Sequence, residues 1–528
     1  MTTILGAGTA AGDVPVWTPA SSSWIAAGLR YFCVTDPAYG AKGDGVTDDY
    51  NAILAAYAAA AAAGGGIVYF PHGTYLCTAG SVIAVPAGVS TVGADKVGTW
   101  VKAAIEFNSN QTYRDITLGI TGHCHYTKAT VNVHDVSCFN VRFRGGDNHT
   151  GANAHTIVFF SGRAAHDFLF EGCDISGEDH DAEGVTLHDR GLPGTANYYN
   201  ITFHGCHFYS IASMGFEIQG DDGYASTVGF SNINLLDNVF EVTGSELISY
   251  GGKTDTTGTF LRDGNSIISG NIFKGAGNGA YIWRSGIEFG SLVGILFTGN
   301  YVGTAVTQML TLGNVYDLPE SIVIADNVFD GTAHNGITHD ASKEHLLLKG
   351  KGIVFKGNHV LYDTGTGEAI YCSALNDSVI TGNNIYDSRT LDTTSSTCMR
   401  LTTSSNNLIA GNRFRTSNSS GVVVNNNADA SSLNNLYCGN YIVNGSNNYN
   451  ISLNPANNCF AVDNWYTTAG GVSCPHGQFP TVTSLPTAAV DYRGVTVFLK
   501  DDTTYTDHVY TCEETSSGVY AWKQVDNA

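Results

Sequence analysis

Positive charge is scarce in this sequence: 25 lysines and arginines stand against 47 aspartates and glutamates, a formal net charge of −22. That excludes nucleic acid as a partner, because phosphate binding needs the opposite sign, and it disfavours anionic membrane surfaces. An anionic polysaccharide is still allowed, since it needs only a local basic patch. No stretch reaches transmembrane length. The opening run MTTILGAGTAAGDVPVW has neither a positive start nor a long apolar segment, so no secretion signal is expected. A soluble protein made in a bacterial cytoplasm follows. Cysteine pairing signals are missing too. The twelve cysteines show no C-x-x-C pair and no zinc-finger spacing, so they are expected as reduced, buried, weakly polar hydrophobes. Cys173 and Cys206 hold matching places in successive units and are expected to stack in the core. No Ser-His-Asp pattern stands out. Charged residues are only 14% of the chain, while Gly, Asn, Ser and Thr abound, which fits a turn-rich β protein better than a helical one.

What is present begins with Tyr39 to Tyr75, YGAKGDGVTDDYNAILAAYAAAAAAGGGIVYFPHGTY. Thr47 is expected to cap a helix, with Asp48 and Asp49 in its first turn facing the positive end of the dipole. Alanine fills the body from Asn51 to Ala63, and Ile53, Leu54 and Tyr57 share an apolar face. Gly64, Gly65 and Gly66 stop the helix. Ile67 to Phe70 then reads as a strand closed by the turn Pro71-His72-Gly73. A phosphate-binding loop is the rival reading of GAKGDGVTDD. Its glycines fit neither G-x-G-x-x-G nor a Walker pattern, and two aspartates at the helix start would repel phosphate.

This run resembles the N-terminal signature of the pectate-lyase-like superfamily, which includes bacteriophage tailspikes and capsule depolymerases. The resemblance implies a right-handed parallel β-helix whose open end the helix covers. It also implies a phage tail or baseplate setting through the N-terminus, a homotrimer, and action at the host cell surface. It leaves the reaction open, because one fold hosts hydrolases, lyases, epimerases and adhesins.

A repeat supports the same fold independently. Asn238, Asn271, Asn300, Asn327, Asn358, Asn383, Asn412, Asn440 and Asn464 each follow an apolar strand and precede another, at spacings of 33, 29, 27, 31, 25, 29, 28 and 24. Such a period with short strands and no helices argues for a parallel β-solenoid rather than leucine-rich repeats or a propeller. Stacked asparagines can hydrogen-bond as a ladder and tolerate a left-handed turn. The expected organisation is an arm or adaptor over 1–30, a capping helix and first strands over 31–95, the β-helix over 96–475, and a small β domain over 476–528.

A second strand in each unit aligns as Gly-apolar-x-apolar, with the third position outward. Aligning Gly215-Phe216-Glu217-Ile218, Gly244-Ser245-Glu246-Leu247 and Gly286-Ile287-Glu288-Phe289 makes an outward column of Glu217, Glu246 and Glu288. Like charges on neighbouring strands resist joint ionisation. One protonated and one ionised carboxyl is what glycosidic hydrolysis needs, so these three are the candidate catalytic residues. Asp221, Asp222, Tyr250, Lys253, Trp283 and Arg284 are candidate substrate contacts, an aromatic face for a sugar ring and an arginine for an acidic one. Asp179, Asp181 and Glu183 could hold calcium, but the spacing completes no EF-hand loop. His123-Cys124-His125 could ligate a metal only if strand neighbours faced the same way, which they do not. No cofactor and no metal is expected. The reading is a tailspike-like depolymerase cutting a bacterial surface polysaccharide by endo-glycosidic hydrolysis. A lyase acting on uronic acids and a purely glycan-binding tail fibre are the alternatives.

Overall fold

A computed structural model describes residues 13–18, 23–120, 123–128, 130–145, 154–159, 163–177, 182–188, 197–211, 214–219, 229–242, 247–251, 253–254, 260–261, 263–275, 287–290, 292–303, 308–313, 318–331, 345–363, 367–389, 397–417, 423–426, 431–444, 451–453, 457, 459–462, 464–467, 473–476, 481–482, 485, 496–499, 508–516 and 519–524. Two compact units divide the chain, Met1–Ala280 and Tyr281–Ala528.

In the first unit, strand Asp13–Thr18 pairs antiparallel with Ser23–Cys33, and the end of the latter joins strand Gly66–Phe70 in parallel. The helix between them runs Tyr50–Ala62 and buries Ile53, Ala56, Tyr57 and Ala60. Leu54 is only half-buried, so alanine takes its expected place in the packed face. The cap also differs from expectation. Asp49, not Thr47, is the N-cap, and no acidic residue lies in the first turn. The three aspartates instead staple loops. Asp49, 1% exposed, accepts the amides of Lys42 at 2.6 Å and Gly43 at 3.0 Å. Asp44 accepts the Thr47 hydroxyl at 2.8 Å. Asp48 accepts the amides of Thr78 and Ala79, both at 3.0 Å. The loop amides that a phosphate would need are therefore occupied by a carboxylate.

Beyond the helix the first unit is a parallel solenoid. Successive coils stack Gln111–Leu118 on Val133–Arg144, Ala165–Glu171, Asn197–His204 and Gly229–Leu236. A second stack runs Asp174–Ser176, His207–Ile211, Val239–Val242 and Ile272–Lys274. The third runs Ala154–Phe159, Ala182–His188, Phe216–Gln219 and Ile248–Gly251. Like residues meet between coils. Phe170 stacks on Phe203 with centroids 4.3 Å apart, and Phe208 on Phe240 at 4.2 Å.

The second unit repeats the three-strand coil from Ile287 onward and ends the repeat where Ser473–His476 turns antiparallel to Asn464–Thr467. Its last element is a small sheet of Thr481–Val482, Thr496–Leu499, His508–Ser516 and Val519–Gln524. The asparagine ladder is present in each unit, and its geometry is specific. Asn383 Oδ1 accepts both the backbone amide of Asn358 at 2.8 Å and its Nδ2 at 3.0 Å. The Nδ2 of Asn383 donates to Asn412 Oδ1 at 2.9 Å and to the Phe355 carbonyl at 2.9 Å. Before the first eight of these asparagines the left-handed residue is the one preceding the asparagine, not the asparagine itself: Asp237, Gly270, Gly299, Asp326, Gly357, Gly382, Gly411 and Gly439 all have positive φ. Cys206 and Cys173 fill the same place one and two coils before Asn238. They are buried and free, and their thiols donate to the Phe170 and Cys138 carbonyls at 3.4 Å.

Candidate functional site

Strand register decides which carboxylates meet. In the first unit Thr186 lies beside Glu217 and Leu187 beside Ile218. Glu217 in turn lies beside Ser249, and Ile218 beside Tyr250. Alternation sends Leu187, Ile218 and Tyr250 into the core and puts Val158, Thr186, Glu217 and Ser249 in one outward row. The expected column therefore changes. Ser249, three residues after Glu246, occupies the place next to Glu217, and Glu246 itself lies outside the described residues. Glu288 is half-buried beside Thr311 in the second unit.

The neighbour Glu217 does have is Glu183. Glu183 is the second residue of strand Ala182–His188, just before Gly184, where a Cβ would run into the Gly215 carbonyl. Its Oε2 accepts the Thr186 hydroxyl at 2.7 Å and lies 2.9 Å from His155 Nδ1. Thr186 Oγ1 and His155 Nδ1 are themselves 3.0 Å apart. Glu183 is 5% and Glu217 3% exposed, so both carboxyls are buried. Burial pushes the Glu183 carboxyl up, but hydrogen bonds from His155, Glu217 and Thr186, with the charge of His155, outweigh it and hold it down at about 2. The cluster thus sets a carboxyl held well below its ordinary range beside a second, buried carboxyl.

The other expected site residues fare differently. Tyr250 is 1% exposed and faces the core, with its hydroxyl 3.3 Å from Ser266 Oγ, so it cannot stack on a sugar. Lys253 lies on a two-residue strand paired antiparallel with Phe260–Leu261, and its side chain is outside the description. Asp221, Asp222, Trp283 and Arg284 lie outside the described residues, as do Asp179 and Asp181. Glu183, weighed in sequence as a calcium ligand, is held by protein donors instead. Among the described residues no group of three or more His, Cys, Asp and Glu could hold a metal ion. His125 is fully buried, its Nδ1 accepting the Ile105 amide at 3.1 Å and its Nε2 meeting the Arg144 carbonyl at 3.1 Å. Both nitrogens serve the backbone, which removes it as a ligand. His155 carries no motif, and Thr186 only the outward third place of Gly184-Val185-Thr186-Leu187; the coil register, Glu183 beside His155 and Glu217 beside Thr186, brings them together.

Residues 32–238 match the profile of the family described as rhamnogalacturonase A/epimerase, pectate lyase-like. The span contains His155, Glu183, Thr186 and Glu217. No curated protein matches the chain. Among solved structures, tailspike protein 3 of bacteriophage CBA120 is 12% identical at a TM-score of 0.49, covering 94% of this chain and 70% of that one. The A-module of the Azotobacter vinelandii mannuronan C-5 epimerase AlgE6 is 15% identical at a TM-score of 0.32, covering 83% and 99%. PfbA, a surface adhesin of Streptococcus pneumoniae, is 14% identical at a TM-score of 0.40, covering 94% and 100%.

Proposed function

Proceeding from a pectate-lyase-like parallel β-helix, we propose that the chain is a tailspike-like depolymerase that cuts a bacterial surface polysaccharide by endo-glycosidic hydrolysis. The observation that carries the reading is the Glu183–Glu217 pair. The Glu183 carboxyl is held down at about 2 and a second buried carboxyl, Glu217, lies beside it. Glycosidic cleavage uses two carboxyls of unlike ionisation, one that gives a proton to the leaving oxygen and one that stays a carboxylate. Glu183 fits the carboxylate role and Glu217 the acid role. A capsule or lipopolysaccharide O-chain is the substrate class. The tail setting, the homotrimer and action at the host cell surface come from the resemblance to tailspikes.

The test is product analysis on a panel of capsule and lipopolysaccharide preparations. New reducing ends without ultraviolet absorbance are expected. Glu217→Gln is expected to lower turnover at least about a hundredfold, the usual worth of general acid–base catalysis, with glycan binding retained. Absorbance from an unsaturated sugar would make the protein a lyase. Binding without products would make it an adhesin.

A further inference from the structure

The second unit carries an outer face whose charge runs against the rest of the chain. Strands His359–Tyr362, Asn384–Asp387, Arg413–Thr416 and Tyr441–Asn444 stack in parallel. Val360, Ile385, Phe414 and Ile442 point inward and are fully buried. The outward positions form two rows, His359, Asn384, Arg413 and Tyr441 in one, Leu361, Tyr386, Arg415 and Val443 in the other. None of the eight is acidic, in a chain with 47 acids against 25 bases. Arg413 and Arg415 are both exposed, and neither has an acidic partner among the described residues. The Arg415 guanidinium lies 4.5 Å from the Tyr386 ring centroid and that of Arg413 lies 5.8 Å from the Tyr441 ring. Such stacking fixes a guanidinium while leaving its in-plane donors free. The adjoining Asp387 does not cancel this charge. It is fully buried and takes Arg389 on both oxygens, at 2.7 and 2.6 Å. Asp330, the next acid along the second row, is three strands from Arg415 and accepts the Tyr301 hydroxyl at 2.9 Å.

We propose that this face docks an acidic polysaccharide, with Arg413 and Arg415 taking sugar carboxylates and Tyr386 and Tyr441 flanking the chain. Two outward residues of one strand stand about 6.6–6.8 Å apart along it, so the pair reads a repeating charge rather than a single ion. Guanidinium forks suit planar carboxylates. The remaining surplus of acids repels a polyanion elsewhere, so the patch selects where it lands. The inference rests on the reading of the protein as glycan-active and narrows that glycan to one bearing uronic acids.

The experiment is retardation of the full chain in native gels containing polygalacturonate, alginate or neutral dextran. Polyuronate is expected to retard the wild type at low salt, dextran is not, and about 0.5 M salt is expected to abolish the effect by screening. The double variant Arg413→Ala/Arg415→Ala is expected to bind at least about tenfold more weakly, with Tyr441→Ala in between. A double variant retarded like the wild type overturns the proposal, and so does a wild type that no polyuronate retards. Sedimentation of both proteins supplies the other arm. If the double variant changes oligomeric state, the face is a contact between copies of the chain and the proposal also falls. Loss of cleavage in Glu217→Gln with retardation intact tests the catalytic reading separately, so the two can fail independently.

Discussion

Replacing Asn383 by alanine is the sharpest test of the ladder. The side chain makes four hydrogen bonds: it accepts from the Asn358 amide and Asn358 Nδ2 and donates to Asn412 Oδ1 and the Phe355 carbonyl. Its own amide still reaches Asn412 Oδ1 at 3.0 Å in the variant, so that oxygen keeps one donor. The Phe355 carbonyl loses a donor, and two buried donors on Asn358 lose their only side-chain acceptor. An unsatisfied buried donor costs about 1–3 kcal/mol, so the variant should lose about 2–6 kcal/mol. Asn384→Ala, one residue along and half-exposed, should change stability by about 0.5 kcal/mol or less. Chemical denaturation followed by far-ultraviolet circular dichroism measures both. Equal, small losses for the two would show that the ladder contributes shape alone, and a water filling the Asn383 site would be the physical reason.

Three further outcomes are expected. His125 is held by burial at about 4, below its ordinary 6.5; its contribution is full above 6.5 and lost as pH falls from there to 4, about 3 kcal/mol in all, and His125→Gln should flatten that part of the stability–pH curve. Glu183, lowered from 4.5 to about 2, likewise stabilises above its unfolded value and loses that contribution from 4.5 downward, so Glu183→Gln should remove the acid limb there and leave the limb of His125. Gly411 has φ +62 with open space around its would-be Cβ; Gly411→Ala should cost about 1–2 kcal/mol of backbone strain, and Gly411→Asn much less, as Asp237 and Asp326 at equivalent places indicate.

The fold was legible because its signals are local and repeat. The glycine stop after Ala63, the spaced asparagines and the strand after each of them all describe single coils, and stacking coils only multiplies them. The misread details share one cause. By residue type alone the helix cap falls to Thr47 and the left-handed turn to the asparagines. The structure gives the role to a neighbour because the favoured side chain has a better partner elsewhere. Asp44 takes the Thr47 hydroxyl, and the first eight ladder asparagines need an ordinary backbone to reach into the core, so the preceding Gly or Asp makes the turn.

The site was half-legible for a different reason. Glu217 is legible because it sits in a clean Gly-apolar-x-apolar strand, but the same frame points one coil ahead for its neighbour. A solenoid does not keep that frame. The coil after Glu217 places Ile248-Ser249-Tyr250, not Ser245-Glu246-Leu247, against Phe216-Glu217-Ile218, because coil lengths vary and a slip moves every candidate to another row or face. The carboxyl beside Glu217, Glu183, lies one coil back within strand Ala182–His188, paired with His155, where a side chain of inward parity reaches Thr186 on the outer row. Glycine at position 184 is what lets the neighbouring coil approach closely enough there. Gly184→Ala should therefore separate Glu183 from Glu217 without touching either. Activity falling together with the loss of the low Glu183 titration, while both glutamates remain, would tie function to the Glu183–Glu217 pair rather than to the column.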